Sequence, residues 1–227
     1  MTGFVLIHGG GSGPWCWDGV RRQLENHGHT VAVPDLGVDP TATLLDYRDR
    51  VLNEMEPIDT NDDVVVVGWS GVGSAAAVLV GAERPTRAVV NLAGTVPFLD
   101  RSLNAAFEEQ IDRELLMSLA SDTEEGGVAF GPAARHVLFA DVPDDVYAVQ
   151  VESARTQPTG SFAEAFPLTV WPPIRFVSVL GRRDPAIRFD AVARRTEKVG
   201  GEVIGLDEGH APHLSNPAGV ARVLMAL

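Results

Sequence analysis

The sequence predicts a doubly wound α/β domain, with a mostly parallel sheet covered by helices on both faces. Short β-branched segments alternate with helical patterns along most of the 227 residues, and this alternation is typical of that fold class. The strand candidates are continuously apolar, as strands buried on both faces of a parallel sheet are. Residues 95–170 break the alternation. We therefore expect a core of residues 1–94 and 171–227 with a helical cap inserted at 95–170.

Six segments have the composition of buried strands, and helical patterns lie between them. The strand candidates are residues 4–7, 30–33, 63–68, 87–92, 174–181 and 202–206. The helix candidates of the core are residues 17–27, 41–55, 71–83, 189–199 and 214–226. Three helix-like segments of the insertion, punctuated by glycine and proline, are residues 103–120, 132–140 and 144–156. A cap in this position covers the carboxyl ends of the strands, where ligands bind in open α/β sheets.

The composition narrows the classes of partner. With 18 basic and 31 acidic residues the formal charge is −13, which repels a phosphate backbone or an anionic membrane, so we expect no nucleic acid or membrane partner. Cys16 is the only cysteine, which excludes a disulfide framework and a thiolate metal cluster. The apolar runs are shorter than the roughly 20 residues of a membrane span. The opening MTGFVLIHG indicates a strand and its loop, not a signal peptide, so we expect a cytoplasmic protein. We also expect a monomer or a homodimer, and no cofactor.

The segment VVVVGWSGVGSAAAVL, residues 64–79, predicts a serine on a sharp turn between a buried strand and a helix. Ser70 directly follows the strand, and Gly68, Gly71 and Gly73 allow the chain to turn closely. The usual pattern for such a nucleophile is G-x-S-x-G, and Val72 stands where the second glycine is expected. The alternative is that Ser70 only caps the helix.

A glycine-rich loop, HGGG at residues 8–11, follows the first strand. Backbone N–H groups in such a loop can bind a ligand oxygen. A phosphate site is weakly supported, because neither G-x-G-x-x-G nor G-x-x-x-x-G-K-[ST] is present. Trp15 and Trp17 are expected to anchor the loop, and Cys16 between them is expected to be a buried, unreactive thiol.

Two polar side chains follow the last two predicted strands. His210 is suited to general base work near neutral pH. Asp184 can orient an imidazole and stabilise its charged form. A surface ion pair of Asp184 with Arg182 or Arg183 is the alternative, and Asp100 is the second candidate for the orienting acid. The chain order serine, aspartate, histidine, each after a strand, predicts a catalytic triad.

His213 has three interpretations: it replaces His210 as the base, lines the site or packs. A metal site at this pair is disfavoured, because Pro212 intervenes, no H-E-x-x-H pattern exists and thiolates are absent. His136, inside a helical pattern of the cap, is expected to be packed or exposed.

The cap is rich in large apolar side chains, some of which pack it against the core while others line an apolar pocket. These side chains are Phe98, Phe107, Leu116, Met117, Leu138, Phe139, Phe162 and Phe166. For the pocket itself we expect Gly9, Phe98, Phe139 and His213.

These motifs resemble the α/β-hydrolase superfamily, in which HGGG, G-x-S, an aspartate and a run like GHAPHLSNP (209–217) occur in this order. The opening FVLIHGGGSGPWCW is similar, more narrowly, to the plant methylesterase and hydroxynitrile lyase branch and its bacterial esterase relatives. The resemblance covers nearly the whole chain and is loosest over the cap. The family's usual opening hairpin is missing, because Met1 stands almost on the first strand, so we expect a short form of the fold.

The resemblance implies Ser70 as the nucleophile, His210 as the base and Asp184 as the acid that orients it. It also implies an oxyanion hole formed by the backbone N–H groups of Gly10 and Gly71.

Two positions bear on the reaction. The lyases of this branch carry a threonine after the first-loop histidine and a lysine after the catalytic one, whereas this chain has Gly9 and Ala211. The resemblance therefore implies a serine hydrolase that cleaves a carboxylic ester or lactone of a small, mostly apolar substrate through an acyl-enzyme. The alternatives are a ligand-binding protein with vestigial chemistry on a hydrolase scaffold, and a hydroxynitrile lyase-type enzyme.

Overall fold

The computed structural model describes residues 1–55, 58, 63–124 and 126–227. Within them, six parallel strands form one sheet, namely β1 (Thr2–Ile7), β2 (Thr30–Ala32), β3 (Asp63–Trp69), β4 (Ala88–Leu92), β8 (Phe176–Gly181) and β9 (Glu202–Leu206). Their order in the sheet is β2-β1-β3-β4-β8-β9. The six predicted strands are thus confirmed to within a few residues at their ends.

The strands are apolar because both faces of the sheet are covered. In neighbouring strands Val5 pairs with Val66 and Val67 with Val90, and all four valines are completely buried. Side chains that alternate along each strand enter two separate hydrophobic clusters, one on each face. This two-sided burial explains why the strands read as continuous apolar runs.

Helices cover both faces of the sheet, as predicted for the core. The core helices are α1 (Asp18–Asn26), α2 (Leu44–Glu54), α3 (Ser70–Glu83), α9 (Phe189–Lys198), α10 (Pro212–Ser215) and α11 (Pro217–Met225). The predicted helix at 214–226 is divided because Asn216 begins a new helix by accepting a hydrogen bond from the Gly219 N–H at 2.9 Å. Among the described helices, none is long and apolar enough to span a membrane.

The insertion between β4 and β8 is not purely helical, which corrects the expectation of a helical cap. Its helices are α4 (Leu103–Gln110), α5 (Arg113–Leu119), α6 (Ala134–Val137), α7 (Asp144–Glu152) and α8 (Gly160–Ala163). A second, antiparallel sheet contains β5 (Ala120–Asp122), β6 (Gly127–Phe130) and β7 (Gln157–Pro158). These strands are too short to leave a pattern in the sequence, and β7 comes from a distant segment.

The segment 103–120, predicted as one helix, contains two helices that meet at Ile111 and Asp112. Ile111 forms a bridge with Ile187 of the core. The Asp112 carboxylate then accepts a hydrogen bond from the Leu115 N–H at 3.0 Å and begins α5. A contact with the core and a new N-cap therefore interrupt the helix.

Candidate active site

Ser70 lies at the junction of β3 and α3, at the carboxyl edge of the sheet. Its φ of 61° is in the left-handed region, which a residue with a side chain rarely adopts. The N-cap of α3 is Trp69, and no side chain caps the helix there. The interpretation of Ser70 as a helix cap is therefore wrong.

The glycines that make this turn possible are Gly68 and Gly73. A Cβ atom on Gly68 would lie 2.1 Å from the carbonyl oxygen of Gly73, and one on Gly73 would lie 2.7 Å from the carbonyl oxygen of His8. Val72, in contrast, is a helical residue whose side chain packs into the core and is 3 % exposed. The close approaches fall at positions 68 and 73, so the turn does not need a glycine at 72.

His210 and Asp184 meet at the same edge of the sheet. The His210 Nδ1 atom lies 2.8 Å from Oδ2 of Asp184, whose side chain is completely buried. The other carboxylate oxygen accepts hydrogen bonds from the N–H groups of Ala186 (2.8 Å) and Ile187 (3.1 Å). Because a carboxylate only accepts, it holds the imidazole proton on Nδ1 and leaves Nε2 free as an acceptor.

The alternatives for Asp184 do not fit this geometry. Arg183 pairs instead with Asp207 at 3.0 Å, and the Arg182 guanidinium lies over the Phe189 ring. Asp100, the second candidate acid, is an exposed residue in a turn with φ of 55°. The structure therefore brings Asp184, and not Asp100, to His210.

The loop that carries His210 is connected to the strand before Ser70 and to the cap. Trp69 Nε1 donates a hydrogen bond to the His210 carbonyl at 3.0 Å. The N–H of Gly209 donates to the carboxylate of Asp141, a cap residue, at 2.8 Å. The position of the imidazole is thus held from the core and from the cap.

The glycine loop after β1 lies directly beside Ser70. A Cβ atom on Gly9 would lie only 2.9 Å from the Ser70 Cβ. His8 is buried beneath the loop, where its Nδ1 atom donates to the Gly9 carbonyl (2.9 Å) and its Nε2 accepts from the Leu36 N–H (3.0 Å). Gly10 and Gly71 line the same cavity as Ser70 and His210.

This cavity has a volume of about 650 Å³, within the range of small-molecule sites. Its wall is mostly apolar and comes largely from the cap. Six of the eight large apolar side chains considered for it are in the wall, namely Phe107, Leu116, Met117, Leu138, Phe139 and Phe162. A largely apolar molecule fits such a surface.

Three residues expected in the pocket do not line it. Phe98 lies between the guanidinium groups of Arg101 (4.5 Å) and Arg195 (4.6 Å), outside the cavity. Gly9 packs under Ser70 and the Trp69 ring.

His213, also expected in the pocket, does not line it. Its ring packs against Trp17 (4.6 Å between centroids) and Trp69 (4.3 Å) and is 1 % exposed. Burial, together with the nearby His210, lowers the pKa of His213 to about 3, so the ring is neutral at ordinary pH. His213 is therefore a packed residue and is not placed as the base.

The residues after the glycine loop take structural positions. Trp15 lies under the guanidinium of Arg155 at 4.8 Å, and Trp17 is completely buried, so both anchor the loop as expected. Burial raises the pKa of the Cys16 thiol to about 12, which fits an unreactive cysteine. His136 is exposed on the cap.

Sequence reasoning missed Arg155 and Asp141, which connect the cap to the two loops of the site. Arg155 stood inside a predicted helix, and Asp141 stood between two predicted helices. Their partners are far away in the chain, so no local pattern could have identified them.

Comparisons with known proteins agree with this architecture. The chain matches the alpha/beta hydrolase family over residues 4–223. It is 31 % identical to methylesterase 7 of Arabidopsis thaliana over 147 residues, which cover 60 % of this chain and 54 % of that protein. It is 43 % identical to norfluorocurarine synthase 2 of Strychnos nux-vomica over 75 residues, covering 30 % of this chain and 28 % of that protein. In these alignments the chain spans about half or less of the curated relatives' length.

Solved structures are similar over nearly the full chain. Polyneuridine aldehyde esterase has a TM-score of 0.81 at 22 % identity, covering 100 % of this chain and 98 % of that one. A pyrethroid hydrolase from Sphingobium faniae JZ-2 has a TM-score of 0.78 at 20 % identity, covering 99 % and 96 %. At such identities the likeness shows the fold.

Proposed function

Because this chain belongs to the alpha/beta hydrolase family, we propose that it hydrolyses a carboxylic ester or lactone of a small, mostly apolar molecule. The observation that carries the proposal is the cavity that Ser70 shares with His210, whose Nδ1 atom is hydrogen-bonded to the buried Asp184. The methylesterase relative and the esterase among the structural neighbours support an ester as the substrate.

In the proposed reaction, Nε2 of His210 takes the Ser70 proton as the serine oxygen attacks the ester carbonyl. Asp184 stabilises the imidazolium that forms. The backbone N–H groups of Gly10 and Gly71 stabilise the negative charge on the carbonyl oxygen, and loss of one such donor typically lowers turnover by ~10²–10³. The imidazolium then protonates the departing alkoxide, and the alcohol leaves.

The acyl group on Ser70 is released in a second step. His210 removes a proton from a water molecule, which attacks the acyl carbonyl, and the proton then passes to the Ser70 oxygen. The mostly apolar cavity wall favours a substrate with a largely apolar surface, because burying a polar group without a hydrogen-bond partner is costly.

The proposal is tested by measuring hydrolysis of p-nitrophenyl esters and lactones of increasing size with the wild-type protein and Ser70→Ala. We expect wild-type turnover on at least one ester and a loss of ~10³-fold or more in the variant. A fluorophosphonate probe should label the wild type stoichiometrically and leave the variant unlabelled. Equal esterase activity of the two proteins would contradict the proposal, and a wild type that is neither active nor labelled would favour a ligand-binding protein.

A further inference from the structure

Arg155 of the cap makes a dense set of contacts with the glycine loop of the core. Its backbone N–H donates to the Gly11 carbonyl at 3.0 Å. Its guanidinium donates twice to the Ser12 carbonyl, from Nε at 3.1 Å and from Nη2 at 2.9 Å. The same group binds both carboxylate oxygens of Asp35, at 2.8 and 3.0 Å, and lies over the Trp15 ring.

These contacts hold a loop whose backbone has little room. Gly11 has a φ of 71°, and a Cβ atom there would lie 3.3 Å from the Arg155 carbonyl oxygen. On the other side of the loop, His8 Nδ1 donates to the Gly9 carbonyl, which belongs to the same peptide group as the Gly10 N–H. Asp35, which follows β2, lies near both Arg155 and His8. Its Oδ1 atom is 2.8 Å from Arg155 Nη2 and 3.4 Å from His8 Nε2.

The charge of Arg155 is already matched by Asp35. Its donors are directed at protein carbonyls and at this carboxylate, so an anionic ligand is not needed to explain the side chain. The contacts of Arg155 with Gly11 and Ser12, together with the contact of His8 with Gly9, constrain the backbone on both sides of Gly10.

We propose that Arg155 is a positioning residue that fixes the direction of the Gly10 N–H toward the developing oxyanion. The inference rests on the proposed esterase function. A donor contributes fully only when it is already aimed at the place where the charge develops. Because Arg155 belongs to the cap, the seating of the cap on the core then sets the geometry of the oxyanion hole.

The test compares Arg155→Met with Arg135→Met. Arg135 is a matched control because its side chain is 21 % exposed, against 23 % for Arg155. Its partners are the Phe139 and Val142 carbonyls, Asp144 and the Tyr147 ring, all inside the cap. For a p-nitrophenyl ester that the wild type hydrolyses, we expect kcat of Arg155→Met to fall ~10- to 100-fold with KM changed less than ~3-fold. Arg135→Met should retain kcat within ~2-fold per folded molecule.

A trifluoromethyl ketone that adds to the serine provides a second measurement. Its tetrahedral adduct carries the oxyanion, so its affinity should fall in Arg155→Met by about the same factor as kcat/KM. Arg155→Lys should lose less affinity and less kcat/KM than Arg155→Met, because the lysine ammonium group can still bind some of the oxygen atoms that the guanidinium binds. If Arg155→Met does not fold, Arg155→Lys and Asp35→Asn carry the same comparison.

Two results would overturn the inference while the wild type remains an esterase. One is a variant in which KM rises and kcat is unchanged, which would make Arg155 a substrate contact. The other is a loss of activity equal in the Arg155 and Arg135 variants, which would show a general effect on cap stability. A wild type without any esterase activity would contradict the proposed function and this inference together.

Discussion

The unusual backbone conformation of Ser70 is stabilised by residues on both sides of it. Strain of this kind costs about 1–3 kcal/mol and persists only where the surroundings hold the residue firmly. Gly68 and Gly73 bring β3, α3 and the His8 carbonyl within distances that no side chain would allow. Ser70 thus lies on a turn whose shape requires glycine at positions 68 and 73.

We predict that Gly73→Ala lowers activity because the new Cβ would lie 2.7 Å from the His8 carbonyl oxygen. The backbone beside Gly9 and Ser70 would have to move, and a shift near 1 Å can lower turnover by ~10²-fold. The measurement is kcat per folded molecule together with the free energy of unfolding.

Gly81→Ala is the control for this prediction. Gly81 is in the same helix, and a Cβ there would lie 2.5 Å from a methyl group of Val89, far from the serine. We expect both variants to lose about 1–3 kcal/mol of stability by overpacking, and only Gly73→Ala to lose turnover. Equal kcat values in the two variants would show that the turn tolerates the displacement.

Helix α4 carries the cap over Ser70. Its last residue, the buried Gln110, donates to the Val96 carbonyl and accepts from the Val96 N–H, both at 2.8 Å. These two hydrogen bonds hold α4 against the segment that follows β4. As a result the Phe107 ring lies on Gly71, where a Cβ atom would be 2.5 Å from the ring.

We predict that Phe107→Ala changes which esters are hydrolysed. Removing the ring enlarges the cavity above Ser70, so small esters lose a packing partner while bulkier acyl groups gain space. The ratio of kcat/KM for p-nitrophenyl hexanoate over acetate should rise ~10-fold, the scale of such pocket contacts.

Phe98→Ala tests whether this effect is specific to the cavity. Phe98 lies between two arginines outside the cavity, so the hexanoate-to-acetate ratio should equal that of the wild type. A ratio that shifts equally in both variants would mean that general loosening of the cap, and not the space above Ser70, determines the preference.

Folding of the molecule buries an imidazole that the unfolded chain exposes to water. The pKa of His213 is about 3 in the folded protein and about 6.5 when the side chain is free. Below pH 6.5 the unfolded chain therefore binds a proton that the folded protein does not. The contribution of His213 to stability is complete above pH 6.5 and is lost progressively as the pH falls toward 3.

We predict that His213→Phe removes this part of the acid sensitivity, because the phenyl ring keeps an aromatic contact with Trp17 and Trp69 and cannot be protonated. Between pH 6 and pH 4 the free energy of unfolding of the wild type should fall more steeply than that of the variant, by up to ~1.4 kcal/mol per pH unit. Denaturant unfolding at several pH values measures the difference.

His136→Gln is the control for this prediction, since His136 is exposed on the cap. It should have the same pH dependence as the wild type. Parallel curves for the wild type and His213→Phe would show that His213 is not the group whose protonation destabilises the fold.

The order of the core elements, and the residues that stand at the carboxyl ends of its strands, could be predicted from the amino-acid sequence. Continuous apolar strands require a sheet covered on both faces, and the carboxyl ends of parallel strands meet at one edge. For this reason Ser70, Asp184 and His210 could be expected to lie near one another although they are far apart in the chain. The side-chain groups brought together are then a hydroxyl, a carboxylate and an imidazole.

Which side chains surround Ser70, Asp184 and His210 could not be predicted without the three-dimensional packing. Arg155 and Ser12 are 143 positions apart, and Asp141 and Gly209 are 68 apart, so no local spacing relates them. Phe98 and His213 are residue types that often line pockets, yet neither lines the cavity. Phe98 packs against two arginines and His213 against two tryptophans. Periodicity reports which residues are buried, whereas the partner of a buried side chain depends on how the loops and the cap pack together.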